Sequence, residues 1–178
     1  MEIDEMVRAH KACSGKGRPG HGLEERIERL LWLYDNVRSS RAGVVWALGE
    51  MGCRESISLA GGIVRNWEKN LEREGMGFVL AAVEAVGKLA FGAEIRRALD
   101  ALMDMMENKA APVALRARAA VSCERIAGRV GPVAIEGVRE RMRKCGADAF
   151  PEVRVWRRRR LESGTRMPGI TQKKGGVC

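Results

Sequence analysis

One segment of the chain returns twice in weakened form, and this recurrence restricts the fold more than any other feature. It reads Arg41-Ala-Gly-Val-Val-Trp-Ala-Leu-Gly-Glu-Met-Gly52, an amphipathic stretch rich in alanine and glycine. A second version is Phe78-Val-Leu-Ala-Ala-Val-Glu-Ala-Val-Gly-Lys-Leu-Ala90, and a third is Leu115-Arg-Ala-Arg-Ala-Ala-Val-Ser-Cys-Glu-Arg-Ile-Ala127. Placing Gly49 over Gly87 and Glu124 gives steps of 38 and 37 residues. A period of this size marks stacked helical hairpins, units that bury their apolar faces only against one another. Such an array presents a long surface, so the expected mode of action is binding.

The composition agrees with close-packed helices. It is 46% hydrophobic but only 4% aromatic, so Ala, Val, Leu and Met fill the interior. The scarcity of Tyr, Phe and Thr argues against a sheet. A length of 178 residues fits one domain. The longest apolar run, about Ala42–Leu48, falls far short of the roughly 18 residues that cross a bilayer, so no membrane span is expected. The acidic start Met1-Glu-Ile-Asp-Glu5 is unlike a basic targeting leader.

The five cysteines are far apart and never in C-x-x-C spacing, as in a reducing compartment. The expected location is cytoplasmic, or nuclear in a eukaryote. His10, Cys13 and His21 are too few for a metal centre of about four ligands, and no metal or cofactor is expected. The formal charge is +9. Residues 1–109 are nearly balanced, and the excess lies in residues 110–178. Any electrostatic partner is therefore expected at the basic C-terminal third.

Punctuation divides the chain into three parts. Residues 1–22 read as a short helix over 2–13 and a Gly-rich linker, Ser14 to Gly22, which lacks the G-x-x-x-x-G-K-[ST] phosphate-loop pattern. Residues 23–163 read as the repeat domain, and residues 164–178 as a basic flexible tail. Within the domain, Leu23, Ile27, Leu30, Leu31 and Tyr34 form the stripe of a leading helix. The first hairpin joins a helix from about Ser40 to Met51, capped by Ser39 or Ser40, to one over about 55–73. Gly61 would permit close backbone approach on the latter, and Trp46 is expected to be buried. The second hairpin runs from Gly75 to Met106, with Met103, Met105 and Met106 as core. The third runs from Pro112, through the Gly131-Pro132 turn, to Cys145. Phe150-Pro151-Glu152-Val153-Arg154 opens a fourth, half-length copy. There Val153, Trp156 and Leu161 face inward, and Arg157–Arg160 wrap the outside as a polar cap.

The Arg41–Gly52 segment resembles the first helix of HEAT-like repeats of the phycobilisome-lyase type. Arg41, Ala47, Leu48, Gly49 and Gly52 match that family's pattern, with Met51 in its apolar slot. The second copy keeps Val86, Gly87 and Leu89, and the third keeps mainly the alanines and Ile126. The resemblance covers about residues 38–163. It implies an all-α fold, a short right-handed α-solenoid of about three to four HEAT-like helical hairpins whose second helices line a concave face. Such repeats commonly bind proteins and sometimes nucleic acid. The His-Glu pairs of repeat proteins resembling deoxyhypusine hydroxylase are missing. Trp32, Tyr34 and Asp35 do not complete the aromatic cleft of helical-repeat DNA glycosylases.

Neither histidine adjoins a nucleophile, so no enzymatic activity is expected. The favoured reading is a binding scaffold or adaptor that docks a protein partner or a larger assembly, because the second helices carry charges of both signs. The alternative is binding to RNA or a ribonucleoprotein through the basic third. Arg118, Arg125 and Arg129 recur at i, i+7 and i+11 as an expected exposed ridge. Arg139 and Arg143 follow four apart, and Arg157, Arg158, Arg159 and Arg160 form a run beside Trp156. That run also fits a nuclear-localisation patch or a solubilising cap.

Overall fold

Small side chains at one recurring position decide how these helices pack. In a computed structural model of the protein, the described residues are 3–5, 7–8, 23–53 and 56–162. The side chains of Leu23 and residues 160–162 are excepted. Ile3–Glu5, Val7 and Arg8 are helical, in keeping with a helix over 2–13. The expected linker and C-terminal tail lie outside the described residues. Every regular element among the described residues is helical. The helices are α1 (Leu23–Asn36), α2 (Arg41–Glu50), α3 (Ile57–Arg65), α4 (Trp67–Glu74), α5 (Met76–Leu89), α6 (Glu94–Glu107), α7 (Val113–Val130), α8 (Pro132–Cys145) and α9 (Pro151–Glu162). Short 3-10 turns precede α2 (Arg38–Ser40) and α9 (Ala147–Ala149). No helix of the described residues is long and apolar enough to cross a membrane.

The three recurring segments fall on α2, α5 and α7, and these pack in a row, α2 on α5 and α5 on α7, with α9 continuing it. Alanine and glycine make this possible. A methyl group added at Gly49 would lie 2.9 Å from both the Cα and Cβ of Ala85. One added at Gly87 would lie 2.6 Å from the Ser122 Oγ and 3.1 Å from its Cα. Each glycine thus meets the residue two places before its counterpart in the next copy. The close approach expected at Gly61 is absent, since a methyl group there would meet only the end of the Arg65 side chain.

The remaining helices seat against this row. α3 packs on α5 and α6 on α7 more extensively than either packs on the first helix of its own copy, whereas α8 packs on α7. The Met103, Met105 and Met106 side chains are buried in the core, as expected of packing residues. Leu48, Val86, Leu102, Leu115, Ile126 and Met142 are also buried. A second apolar cluster joins α1 and α2 through Leu30, Val44, Ala47, Leu48 and Met51, with Val7 inserted from the N-terminal helix.

Three local expectations are corrected. Neither serine caps α2: Arg38–Ser40 turn as a 3-10 segment, and Ser40 is αR with no side-chain cap. The helix expected over 55–73 breaks at Asn66, whose backbone (φ −110°, ψ 34°) leaves the α region. The Asn66 and Asn70 amides donate to the carbonyls of Gly62 and Ile63 across that break, the competition with the ladder that asparagine side chains offer. Trp46 is only half-buried, at the edge of the second cluster.

Candidate functional site

The basic third of the chain holds the residues expected to bind, and α7 is its axis. This 18-residue helix is enclosed by α5, α6, α8 and α9. Side chains that would be exposed on an isolated amphipathic helix therefore meet neighbours. Arg118, Arg125 and Arg129 do share one ridge. It is not free, however, because all three are half-buried against α5.

Arg118 Nη1 donates to Glu84 on α5 at 3.3 Å. Glu84 also pairs with Lys88 at 2.8 Å, and Lys88 bonds Glu50 on α2. One line of alternating charge thus crosses α2, α5 and α7. Burial opposes ionisation of Glu84. The hydrogen bond and charge of Lys88, with the charges of Arg118 and Arg125, outweigh it and hold the carboxyl below its usual range. Burial also lowers the Arg125 pKa from its ordinary value, there disfavouring the charged form, and its Nη1 is buried without an acceptor among the described residues. Arg129 donates to the carbonyls of Gly87 (2.9 Å) and Ala90 (3.0 Å) and stacks on Phe91 at 4.8 Å. It thereby places a cation at the C-terminus of α5, where the helix dipole favours one.

The strongest convergence is on Glu124, 1% exposed at the α7 position that aligns with Gly49 and Gly87. Its Oε1 accepts from Arg139 Nε of α8 at 3.4 Å and from Arg157 Nε of α9 at 2.5 Å, and Arg157 Nη2 pairs with it as well. Its Oε2 is buried without a hydrogen-bond partner among the described residues. Where the first two copies use glycine to bring helices into contact, the third uses a carboxylate to tie two helices on. Arg143 pairs on the surface of α8 with Glu136 (2.7 Å) and Glu140 (2.9 Å). Arg158 and Arg159 are exposed, with no acidic partner among the described residues, and so is Arg154. The Arg160 side chain lies outside the described residues.

Sequence reasoning passed over a second set of arginines. Arg41 Nε donates to the Tyr34 carbonyl at the end of α1 (2.9 Å), and its Nη1 to Glu74, the last residue of α4 (2.8 Å). Arg116, eight places before Glu124 as Arg41 is before Gly49, donates to Met106 near the end of α6 (2.9 Å) and to Cys145, the last residue of α8 (3.4 Å). Each also stacks on an aromatic ring, Tyr34 or Phe150. The shared register of Arg41 and Arg116 was the available signal. Arg141 grips Glu107 through two bonds of 2.6 and 2.8 Å, joining α8 to α6. Near Arg41, an open cleft of about 460 Å³ is lined by Arg38, Ser39, Arg41, Ala42, Arg73, Glu74 and Phe78.

Among the described residues, no three His, Cys, Asp or Glu side chains are grouped to hold a metal ion; His10, Cys13 and His21 lie outside them. The geometry defines a class, an all-helical protein whose neighbouring helices are joined by arginines. Comparison with known protein families, with curated proteins and with solved structures returns no match to this chain.

Proposed function

We propose that this protein is a non-enzymatic helical-repeat scaffold, a short right-handed α-solenoid of HEAT-like hairpins that docks a protein partner or a larger assembly. Two features support the repeat architecture. Glycine contacts recur between copies at Gly49 and Gly87, and arginine staples recur at Arg41 and Arg116. The observation that carries the docking reading is the sign of the charge left outside. Arg118, Arg129, Arg139 and Arg157 bond to neighbouring helices. The exposed residues of the second helices remain mixed, with Arg96, Arg97, Asp100 and Asp104 on α6 and Glu136, Glu140, Arg143 and Lys144 on α8. A surface of both signs suits a protein partner, whereas a nucleic acid calls for a uniform basic track.

The test is capture from nuclease-treated extract on immobilised protein, with Asp100→Lys/Asp104→Lys as comparison. A stoichiometric protein that binds the wild type and is lost with the variant is the expected result. Recovery only of nucleic acid, or of nothing, would refute the proposal. The second reading, RNA binding, rests on Arg154, Arg158 and Arg159, the exposed arginines of α9 that lack acidic partners among the described residues. It predicts salt-sensitive retention on RNA that disappears in Arg158→Ser/Arg159→Ser.

A further inference from the structure

The two ends of the row are unlike in charge and alike in what else they expose. α1 packs on α2 at one end, and α9 packs on α7 at the other. On α1, Glu24, Glu28, Leu31, Trp32 and Asp35 are all exposed. Their spacing (i, i+4, i+7, i+8 and i+11) places them on one face. Leu31 is 38% and Trp32 50% exposed, large for apolar side chains. On α9, Val153 is fully buried against the row. The opposite face carries Arg154, Val155, Arg158 and Arg159, with Val155 45% exposed between the guanidiniums. One end is net acidic around an apolar patch, although the exposed Arg29 stacks on Trp32 at 4.8 Å from the ring, and the other is basic around a smaller one.

We propose that these faces are complementary, and that the occupant of each is a second copy of this chain, docked head to tail with α1 of one molecule on α9 of the next. The contact would repeat between molecules what Glu124 and Arg157 do within one, where a carboxylate on one helix of the row holds an arginine of the next. Leu31 and Trp32 would cover Val155, while Glu24, Glu28 and Asp35 meet Arg154, Arg158 and Arg159. A heterologous contact of this kind leaves a free face at each end, so growth is open unless the rotation closes a ring. One helix on one helix belongs to the small interfaces, below about 1,200 Å² in total, so association is weak and concentration-dependent.

Sedimentation velocity over a concentration series tests this. The wild type should self-associate at about 0.1 M salt and dissociate at about 1 M, where charges more than about 3 Å apart are screened. Arg158→Glu/Arg159→Glu should weaken association by roughly tenfold or more, because like charges then face each other across the contact. Glu24→Lys/Glu28→Lys should do the same, with circular dichroism reporting that both variants remain helical. An equimolar mixture of the two should reassemble, since each reversed face then finds its complement. Three outcomes would overturn the proposal: a wild type monomeric at concentrations approaching about 1 mM, oligomers indifferent to both reversals, or a mixture that stays monomeric. Retention of a monomeric wild type on RNA or an acidic protein through α9 would assign that face to another occupant and overturn it equally. Loss of the partner captured by the second helices would leave these outcomes unchanged.

Discussion

Replacing Gly49 with alanine isolates the contact on which the row of helices depends. Alanine is the better helix former, worth about 0.8–1.0 kcal/mol over glycine in a helix interior. Propensity alone would make Gly49→Ala stabilising. The structure reverses the sign: the new methyl group would lie 2.9 Å from the Ala85 Cα, a backbone atom that moves only with α5. Overpacking of this kind costs about 1–3 kcal/mol. Gly137 supplies the control, in the interior of α8 with nothing within 4 Å of an added methyl group. Gly137→Ala should gain close to the full propensity term. Propensity cancels between the two variants, so Gly49→Ala should be less stable than Gly137→Ala by about 1–3 kcal/mol. In a chain of this size that is a gap of several degrees, with about 2–4 °C expected per kcal/mol. Urea or thermal unfolding followed by circular dichroism measures it. If Gly49→Ala were as stable as Gly137→Ala, α2 and α5 would not be in backbone contact, and the glycine register would lose its meaning. Gly87→Ala adds a second check, because its clash is mainly with the Ser122 side chain. Ser122→Gly should partly rescue it.

Glu124→Gln should destabilise by about 1–3 kcal/mol, the worth of charged hydrogen bonds whose arginine partners stay partly hydrated. Its particular mark should be faster hydrogen exchange over 151–162, and unchanged exchange there would refute the anchoring role. Glu84 ionises below the ordinary carboxylate range in the folded state. Its contribution is therefore complete above the unfolded-state pKa and is lost as pH falls through the lower folded value. Glu84→Gln should flatten the acid limb of a stability–pH curve, by up to about 1.4 kcal/mol per pH unit, and an unaltered slope would count against the pairing. Burial pushes the Cys123 thiol well above its usual pKa. Alkylation followed by peptide mapping should label Cys145 before Cys123, which should react only on unfolding; equal rates would place Cys123 at the surface.

The all-helical character and most of the core were legible because burial follows periodicity. Val44, Ala47 and Leu48 on α2 with Met51 just after it, and Val79, Ala82, Val83 and Val86 on α5, are buried as their spacing requires. The errors cluster where periodicity carries no information about neighbours. Leu31 shares its stripe with Leu30, yet Leu30 is fully buried and Leu31 is not, because α1 lies at the end of the row and has chiefly α2 to pack against. Trp46 is only half-buried for a related reason, at the margin of the smaller cluster. The basic ridge was read correctly as a ridge and wrongly as an outer one. Spacing states which residues share a face, and only the packing of α5 against α7 states what that face meets.

That distinction governs how a net charge of +9 bears on function. A formal charge measures the field of the whole molecule, whereas a docking phosphate meets only guanidiniums it can reach. Arg129 donates to three carbonyls at the end of α5, and Arg157 lies against the buried Glu124. Freeing either would strip a neighbouring helix of a partner it holds in the folded state, at a cost a surface phosphate contact would have to exceed. Among the described residues of the basic third, the exposed guanidiniums without an acidic partner are Arg154, Arg158 and Arg159, all on α9. In the basic third, Arg116, Arg118, Arg129, Arg139, Arg141 and Arg157 bond to neighbouring helices. Among the described residues, the exposed charge differs between the two ends of the row, net acidic on α1 and basic on α9. This is why charge reversal at the two ends, rather than along the Arg118–Arg129 ridge, is the perturbation expected to change association while leaving stability nearly untouched.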